Sequence, residues 1–173
     1  TAVMSYTNQN IANAQCFDDC LYCLAIAARS LFQVGLLKQS MESSLDTLSK
    51  LGEQPLREMS DNTLKADMMK MNEILRNTPD GSIMNLHENK AKKINTTLEI
   101  YSNLCSVLHL AKPSLVGAVS LRMVELTMSN GLASSSPIAF GYYGEVLVAN
   151  GSVNDGCRLG RLALKLVENK LSL

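Results

Sequence analysis

Three cysteines stand at Cys16, Cys20 and Cys23, with the aromatic Tyr22 just before the third. Three thiolates at this spacing could each bind one iron of a four-iron cluster and leave the fourth iron open to a further ligand. That chemistry needs the cysteines in a loop, free to converge on one point. On a helix the same three positions share a face, where cysteine is a common small apolar core residue. The surrounding sequence favours the helix, because Phe17, Leu21, Leu24, Ala28 and Leu31 recur at spacings of three and four. A zinc site lacks an evident fourth ligand, since His87 and His109 are isolated. The core reading is therefore preferred, and no catalytic, cofactor-binding or metal-binding residue is assigned.

The cysteine spacing also resembles the cluster-binding motif of radical S-adenosylmethionine enzymes. That motif sits in a loop after a barrel strand, with Gly-rich cofactor segments downstream, and this chain offers neither. An iron–sulfur enzyme using Cys16, Cys20 and Cys23 is thus the alternative reading. The remaining polar residues do not form an acid–base pair. Met68, Met69, Met71 and Met84 suit core filling, Lys90, Lys92 and Lys93 a solvated face, and Arg158 and Arg161 could meet a partner's carboxylates.

The elements that must position these residues follow from composition and periodicity. Apolar residues make up 46% and charged residues 18% of 173 residues, which is enough for one globular domain with a sizeable core. Sixteen basic residues balance sixteen acidic ones, arguing against general affinity for nucleic acid or anionic membrane. No run approaches a membrane span. Five cysteines without a secretion signal suggest reduced thiols and an intracellular, cytoplasmic setting. The chain opens on Thr1 without an initiator Met, so it is read as a fragment of a longer chain. No stretch alternates with period two, and the fold class is all-α.

Two stretches carry the same helical hairpin, one near 12–52 and one near 135–168. In the second, Ser136 and Pro137 suit a helix start, Asn150-Gly151 a stop, and Asn154 or Asp155 a new start. Phe140, Tyr143, Gly144 and Leu147 fall on one face of the first helix. Gly156, Gly160 and Ala163 fall on the facing side of the next, where small residues allow close approach. In the first stretch Leu24, Ala27, Ala28 and Leu31 occupy the positions of the large-and-small face. Gly35 matches Gly151, and Ser40, Ser44 and Thr47 match Gly156, Gly160 and Ala163. The offset is a constant 116 residues, as from Ala28 to Gly144. Such a skeleton is that of tetratricopeptide-type hairpins.

The middle, 60–131, is less regular. A helix is expected from Asp61 or Asn62 to Arg76, and a loop over 77–84 on Pro79-Asp80-Gly81. A helix over 88–111 should be broken by Pro113, and another, capped by Ser114, should end at Asn130-Gly131. The total is about seven helices, stacked as a short right-handed solenoid.

Residues 115–168 resemble the helical segment that follows the AAA-like ATPase module in large multidomain signalling proteins such as sensor kinases. The features carried are Met123 and Leu126 before the Asn-Gly stop, Ser136 and Ala139, Tyr143-Gly144, and the run from Gly160 to Leu166; LDTLSKLGE (45–53) is also similar. The resemblance implies a tetratricopeptide-like module without catalysis of its own, and no phosphate loop occurs here. The expected role is protein interaction or signal relay, with no cofactor, and a structural scaffold subunit is the second alternative. Partners would be adjacent domains of the parent chain or a partner helix. The last helix carries more apolar residues than one buried stripe needs. Leu159, Leu162, Leu166 and Leu173 are therefore expected to meet a further helix or to mediate self-association.

Overall fold

Two glycine stops set the architecture. In this computed structural model, which describes residues 2–171, helix α2 (Phe17–Gln33) ends at Gly35 with φ of 79°. Only a residue without Cβ adopts that turn cheaply. It lets the amides of Gly35 and Leu36 donate back to the carbonyls of Phe32 and Leu31, both at 2.9 Å. Helix α8 (Ser136–Ala149) ends in the same way at Gly151, where the amides of Gly151 and Ser152 reach Val148 and Leu147 at 3.0 and 2.8 Å. Each of these atoms is 116 positions from its counterpart. The chain then reverses into α3 (Leu37–Lys50) and α9 (Val153–Leu171) respectively.

Among the described residues the chain forms nine α-helices and no named strand, two more helices than the periodicity predicts. One extra helix lies almost wholly ahead of the hairpin expected near 12–52, and a break at residues 14–16 separates the two. Residues Ala2–Asn13 form α1, and Cys16 is extended at the start of α2, its amide donating to the Asp19 carboxylate at 3.2 Å. The other is a five-residue α5 (Asp80–Met84) within the expected loop, held by the fully buried Ile83. Before it, α4 (Asn62–Asn77) starts where expected, with the Asp61 carboxylate accepting from the Thr63 amide at 2.8 Å.

Helix α6 (Lys92–Ala111) begins four residues later than predicted, because the preceding segment is pulled straight. The amides of Asn89 and Leu132 bond to the carbonyls of Leu132 and His87, each at 2.8 Å. Ser114 falls inside a short 3₁₀ turn and does not cap α7 (Val116–Asn130). Ser136 likewise sits inside α8, where its hydroxyl accepts from the Ala133 amide at 2.9 Å, and Ser135 takes the cap position.

The helices pack mostly on chain neighbours. α2 and α3 both rest on α6, α6 on α7, α7 on α8 and α8 on α9, while α4 crosses α7. Tyr101, Phe140 and Tyr143 are the largest fully buried side chains. Burying each contributes roughly 1.5–3 kcal/mol. Helix α8 is apolar nearly all round, which fits its place between α7 and α9.

Matched positions also meet at the two hairpin crossings. The Ser40 hydroxyl donates to the Ala28 carbonyl at 2.7 Å, and a Cβ at Gly156 would press on the Gly144 carbonyl in the same relation. Gly144 is equally constrained, since its Cβ would lie 2.8 Å from the Gly156 carbonyl and 3.3 Å from Leu159 Cβ. Ala163 packs half-buried against the core. Gly160 departs from expectation. A Cβ there would meet nothing within 4 Å, although the residue is half-buried and its amide nitrogen lies 3.5 Å from where a Gly144 Cβ would be.

The last helix corrects a second expectation. Leu159, Leu162 and Leu166 are 1%, 0% and 5% exposed, so they fill the core of their own chain and are not offered to a partner. Their spacing of three and four puts them on the side that meets α8. Leu173 lies outside the described residues. Arg158 is also used internally: it donates to Asp80 at 2.7 Å and to the carbonyls of Leu75 and Thr78 at 2.7 and 2.5 Å. Beside it, Arg76 pairs with Asp155 at 2.6 Å. These contacts clasp the end of α4 and the start of α5 onto α9.

Candidate interaction groove

Helices α2, α6 and α8 each open a hairpin, or the place of one, and together they frame a concave groove of about 500 Å³. α2 contributes Ala25, Arg29, Phe32 and Gln33. α6 contributes Glu99, Ser102, Asn103 and Ser106, and the turn into α8 adds Ser134, Ser135 and Ile138. The inward stripes of these helices are spent on the core, so the residues half a turn away face the opening. Arg29 and Glu99 approach across it at 3.8 Å, with both side chains well exposed. Screening makes that pair weak in itself and free to exchange for a ligand's charges. Asn103 donates to Ser40 at 3.2 Å, which anchors its amide at the base of the wall.

Beside the groove, α6 and α8 make further polar contacts. Ser106 and Tyr142 share a hydrogen bond of 3.2 Å between their hydroxyls. His109 tilts against the Tyr142 ring at 6.1 Å and sits 3.6 Å from the Glu145 carboxylate. Phe32 and Ile138 add apolar surface among the hydroxyls and amides. A few apolar anchors within a lining of convergent polar groups suit a peptide better than a small apolar ligand.

The cysteine triplet is not brought to one point. Cys16 is exposed at the helix start, Cys20 is buried with its thiol 3.8 Å from the Cys16 carbonyl, and Cys23 is half-buried. A cluster needs three thiolates aimed at one open position, and a buried Cys20 cannot supply one without unwinding the first turn of α2. Cys105, in α6, lies in the core, where burial raises its thiol well above the ordinary range. Among the described residues no group of three or more His, Cys, Asp or Glu is placed to hold a metal ion.

Comparison with protein-family models, curated proteins and solved structures returns no match.

A second polar cluster lies outside the groove. Glu53, which follows α3, accepts from Arg122 of α7 at 2.8 and 3.2 Å and from the Tyr101 hydroxyl at 2.8 Å. Burial alone would raise the Glu53 carboxyl, but the hydrogen bonds from Arg122 and Tyr101 outweigh it and hold it below the ordinary 4.5. Burial first, and then the neighbouring carboxylate, push the Tyr101 phenol far up. With Arg122 also donating to Glu125 at 3.2 Å, the cluster ties the end of α3 to α6 and α7. Among the described residues no helix is long and apolar enough to cross a membrane.

The groove residues were absent from the sequence reading. Its signal was present but faint: Arg29 interrupts the apolar run from Leu24 to Leu31, and Glu99 stands between Leu98 and Ile100. A lone charge within such a run marks the rim where a packed face meets solvent.

Proposed function

We propose that this chain is a non-catalytic, tetratricopeptide-like helical-repeat module that binds a protein segment in the groove framed by α2, α6 and α8. The observation that carries the reading is the groove itself. Its walls come from the first helix of each hairpin-like unit, and its lining mixes Arg29, Glu99 and neutral polar groups with Phe32 and Ile138. The matched turns and crossings, 116 residues apart, support a repeated stack, with α4 and α5 inserted in sequence between α3 and α6. A stack of this kind holds its groove rigid, so binding orders the ligand at little cost to the receptor. In the multidomain signalling protein that the resemblance implies, the ligand would be a neighbouring domain's segment, and occupancy would relay its position.

The test is selection of binders from a displayed library of random peptides, followed by competition. Peptides are expected to lose binding to an Arg29→Glu variant and to a Ser106→Trp variant that fills the groove. Peptides that bind both variants as well as they bind the native chain would remove the groove from the account.

A further inference from the structure

Beyond α3 the chain turns at Gly52, with φ of 85°, and the amides of Gly52 and Glu53 donate back to Ser49 and Leu48, each at 3.0 Å. It then runs without regular structure to Asp61, the cap of α4, and none of these residues lines the groove. Among the described residues, the amides of positions 54 and 56–60 donate to no partner in the chain. This strap of residues 53–60 is therefore held onto the helices by side chains. Glu53 fixes its root through Arg122 and Tyr101. Further along, Arg57 pairs with Asp67 at 3.7 Å and Glu58 with Lys112 at 3.5 Å, and solvent reaches both pairs and weakens them. The remaining anchors are Leu56 and Met59, each half-buried against the core.

The space under the strap is thinly filled. A largely apolar cavity of about 350 Å³ lies between it and Leu45, Leu48, Tyr101 and Leu115. A second, of about 90 Å³, lies between it and Leu64, Ala118 and Leu121. Empty space forfeits dispersion contacts, so the attachment rests on few side chains. Met59 makes the closest approach. Its sulfur rests on Gly117, buried in the first turn of α7. A Cβ at Gly117 would fall on that sulfur and would lie 3.2 Å from each of the two carbons bonded to it. The notch exists because this position has no side chain.

We propose that Met59 is an oxidation site that latches the strap: a peroxide converts its thioether to the sulfoxide, and the strap lifts from α7. The sulfur attacks one peroxide oxygen, the O–O bond breaks as the S–O bond forms, and the second oxygen takes up a proton and leaves as water. Sulfur gives up two electrons and the peroxide gains them. The new oxygen is bonded to the one atom that fills the notch, so bulk and polarity arrive where a flexible apolar thioether had fitted. Met59 is half-buried and within reach of a small oxidant, whereas Met68, Met71 and Met123 are sealed in the core. Lifting the strap exposes Leu56 and opens the larger cavity. Enzymatic reduction of the sulfoxide by a thiol-dependent reductase reverses the change.

The full chain treated with hydrogen peroxide tests this, followed by excess dithiothreitol, which reduces any disulfide and leaves the sulfoxide. Trypsin then probes the strap, with fragments and added oxygen located by mass spectrometry. Cleavage after Arg57 is expected to rise about tenfold as Met59 gains one oxygen, with an unchanged circular dichroism spectrum, because cleavage follows the population of the opened form. Met59→Leu keeps an apolar anchor without sulfur and should show no rise on oxidation. Untreated Gly117→Ala, whose Cβ takes the sulfur's place, should be cleaved after Arg57 as fast as the oxidised native chain. Oxidation of Met69, which is 72% exposed, without oxidation of Met59 would overturn the proposal. So would an oxidised Met59 without faster cleavage, an equal rise in Met59→Leu, or a folded Gly117→Ala as resistant as the untreated native chain. Cleavage spread along the whole chain with loss of helical signal would also overturn it, by replacing a local latch with general unfolding.

Discussion

Adding one methyl group at two glycines of the same helix should move stability in opposite directions. In Gly156→Ala the new Cβ meets the Gly144 carbonyl, lies 2.6 Å from a Val148 methyl and is 3.1 Å from the Val148 amide nitrogen. Two of those three neighbours are backbone, so the relief is for α8 and α9 to part by roughly 0.5–1 Å, which forfeits about a quarter to a half of the dispersion at the crossing. Overpacking of this kind costs about 1–3 kcal/mol. Removing a helical glycine returns about 1 kcal/mol, so the net loss is up to about 2 kcal/mol, a fall of up to roughly 8 °C in Tm. In Gly160→Ala the Cβ meets nothing, only the propensity gain applies, and Tm should rise by roughly 2–4 °C. Urea titrations followed by circular dichroism, on samples dilute enough to be monomeric, would measure both. The two variants should share the native m value, since each changes the packing of the same folded core. Equal losses at both glycines, or a gain at Gly156, would refute the close crossing.

Two further predictions concern buried polar groups. Ser40→Ala should lose about 1 kcal/mol with the hydrogen bond to Ala28, whereas Ser44→Ala should be neutral or stabilising by up to about 1 kcal/mol, because the Ser44 hydroxyl is buried without a partner; thermal melts compare them. The lowered Glu53 carboxyl contributes stability that is whole above the ordinary value of 4.5 and is lost as pH falls through its folded value, so Glu53→Gln should flatten part of the acid limb of a stability–pH profile while lowering stability at neutral pH by about 1–3 kcal/mol.

Helical class and the two hairpins were legible because their signals are local. Gly35 and Gly151 end helices by backbone geometry alone, and the small residues at Ser40 and Gly156 mark crossings at fixed distance from those stops. The misplaced boundaries lie where a distant partner decides the local structure. Residues 88–91 follow a good helical pattern, yet they are drawn out by Leu132, more than forty positions away. Gly160 shows the limit of matching small residues by register: the position is small, as expected, but a Cβ there would meet nothing within 4 Å. Of the leucines expected to face a partner, Leu159, Leu162 and Leu166 are buried within the chain, while Leu164 is exposed. Two stripes run along one helix, and spacing alone does not say which of them meets α8.

The clasp of Arg158 and Arg76 onto Asp80, Leu75, Thr78 and Asp155 changes how the molecule should come apart. A stack in which each helix touches only its chain neighbours can fray from either end, one unit at a time. Here side chains about eighty positions apart in the chain are joined, with separations of 78 to 83 residues, and α4 also crosses α7. Opening α9 therefore strips partners from α4 and α5, and the loss spreads to helices far along the chain. Amide exchange in α4 and α9 should then report one common opening event, at the expense of slower folding through these distant contacts.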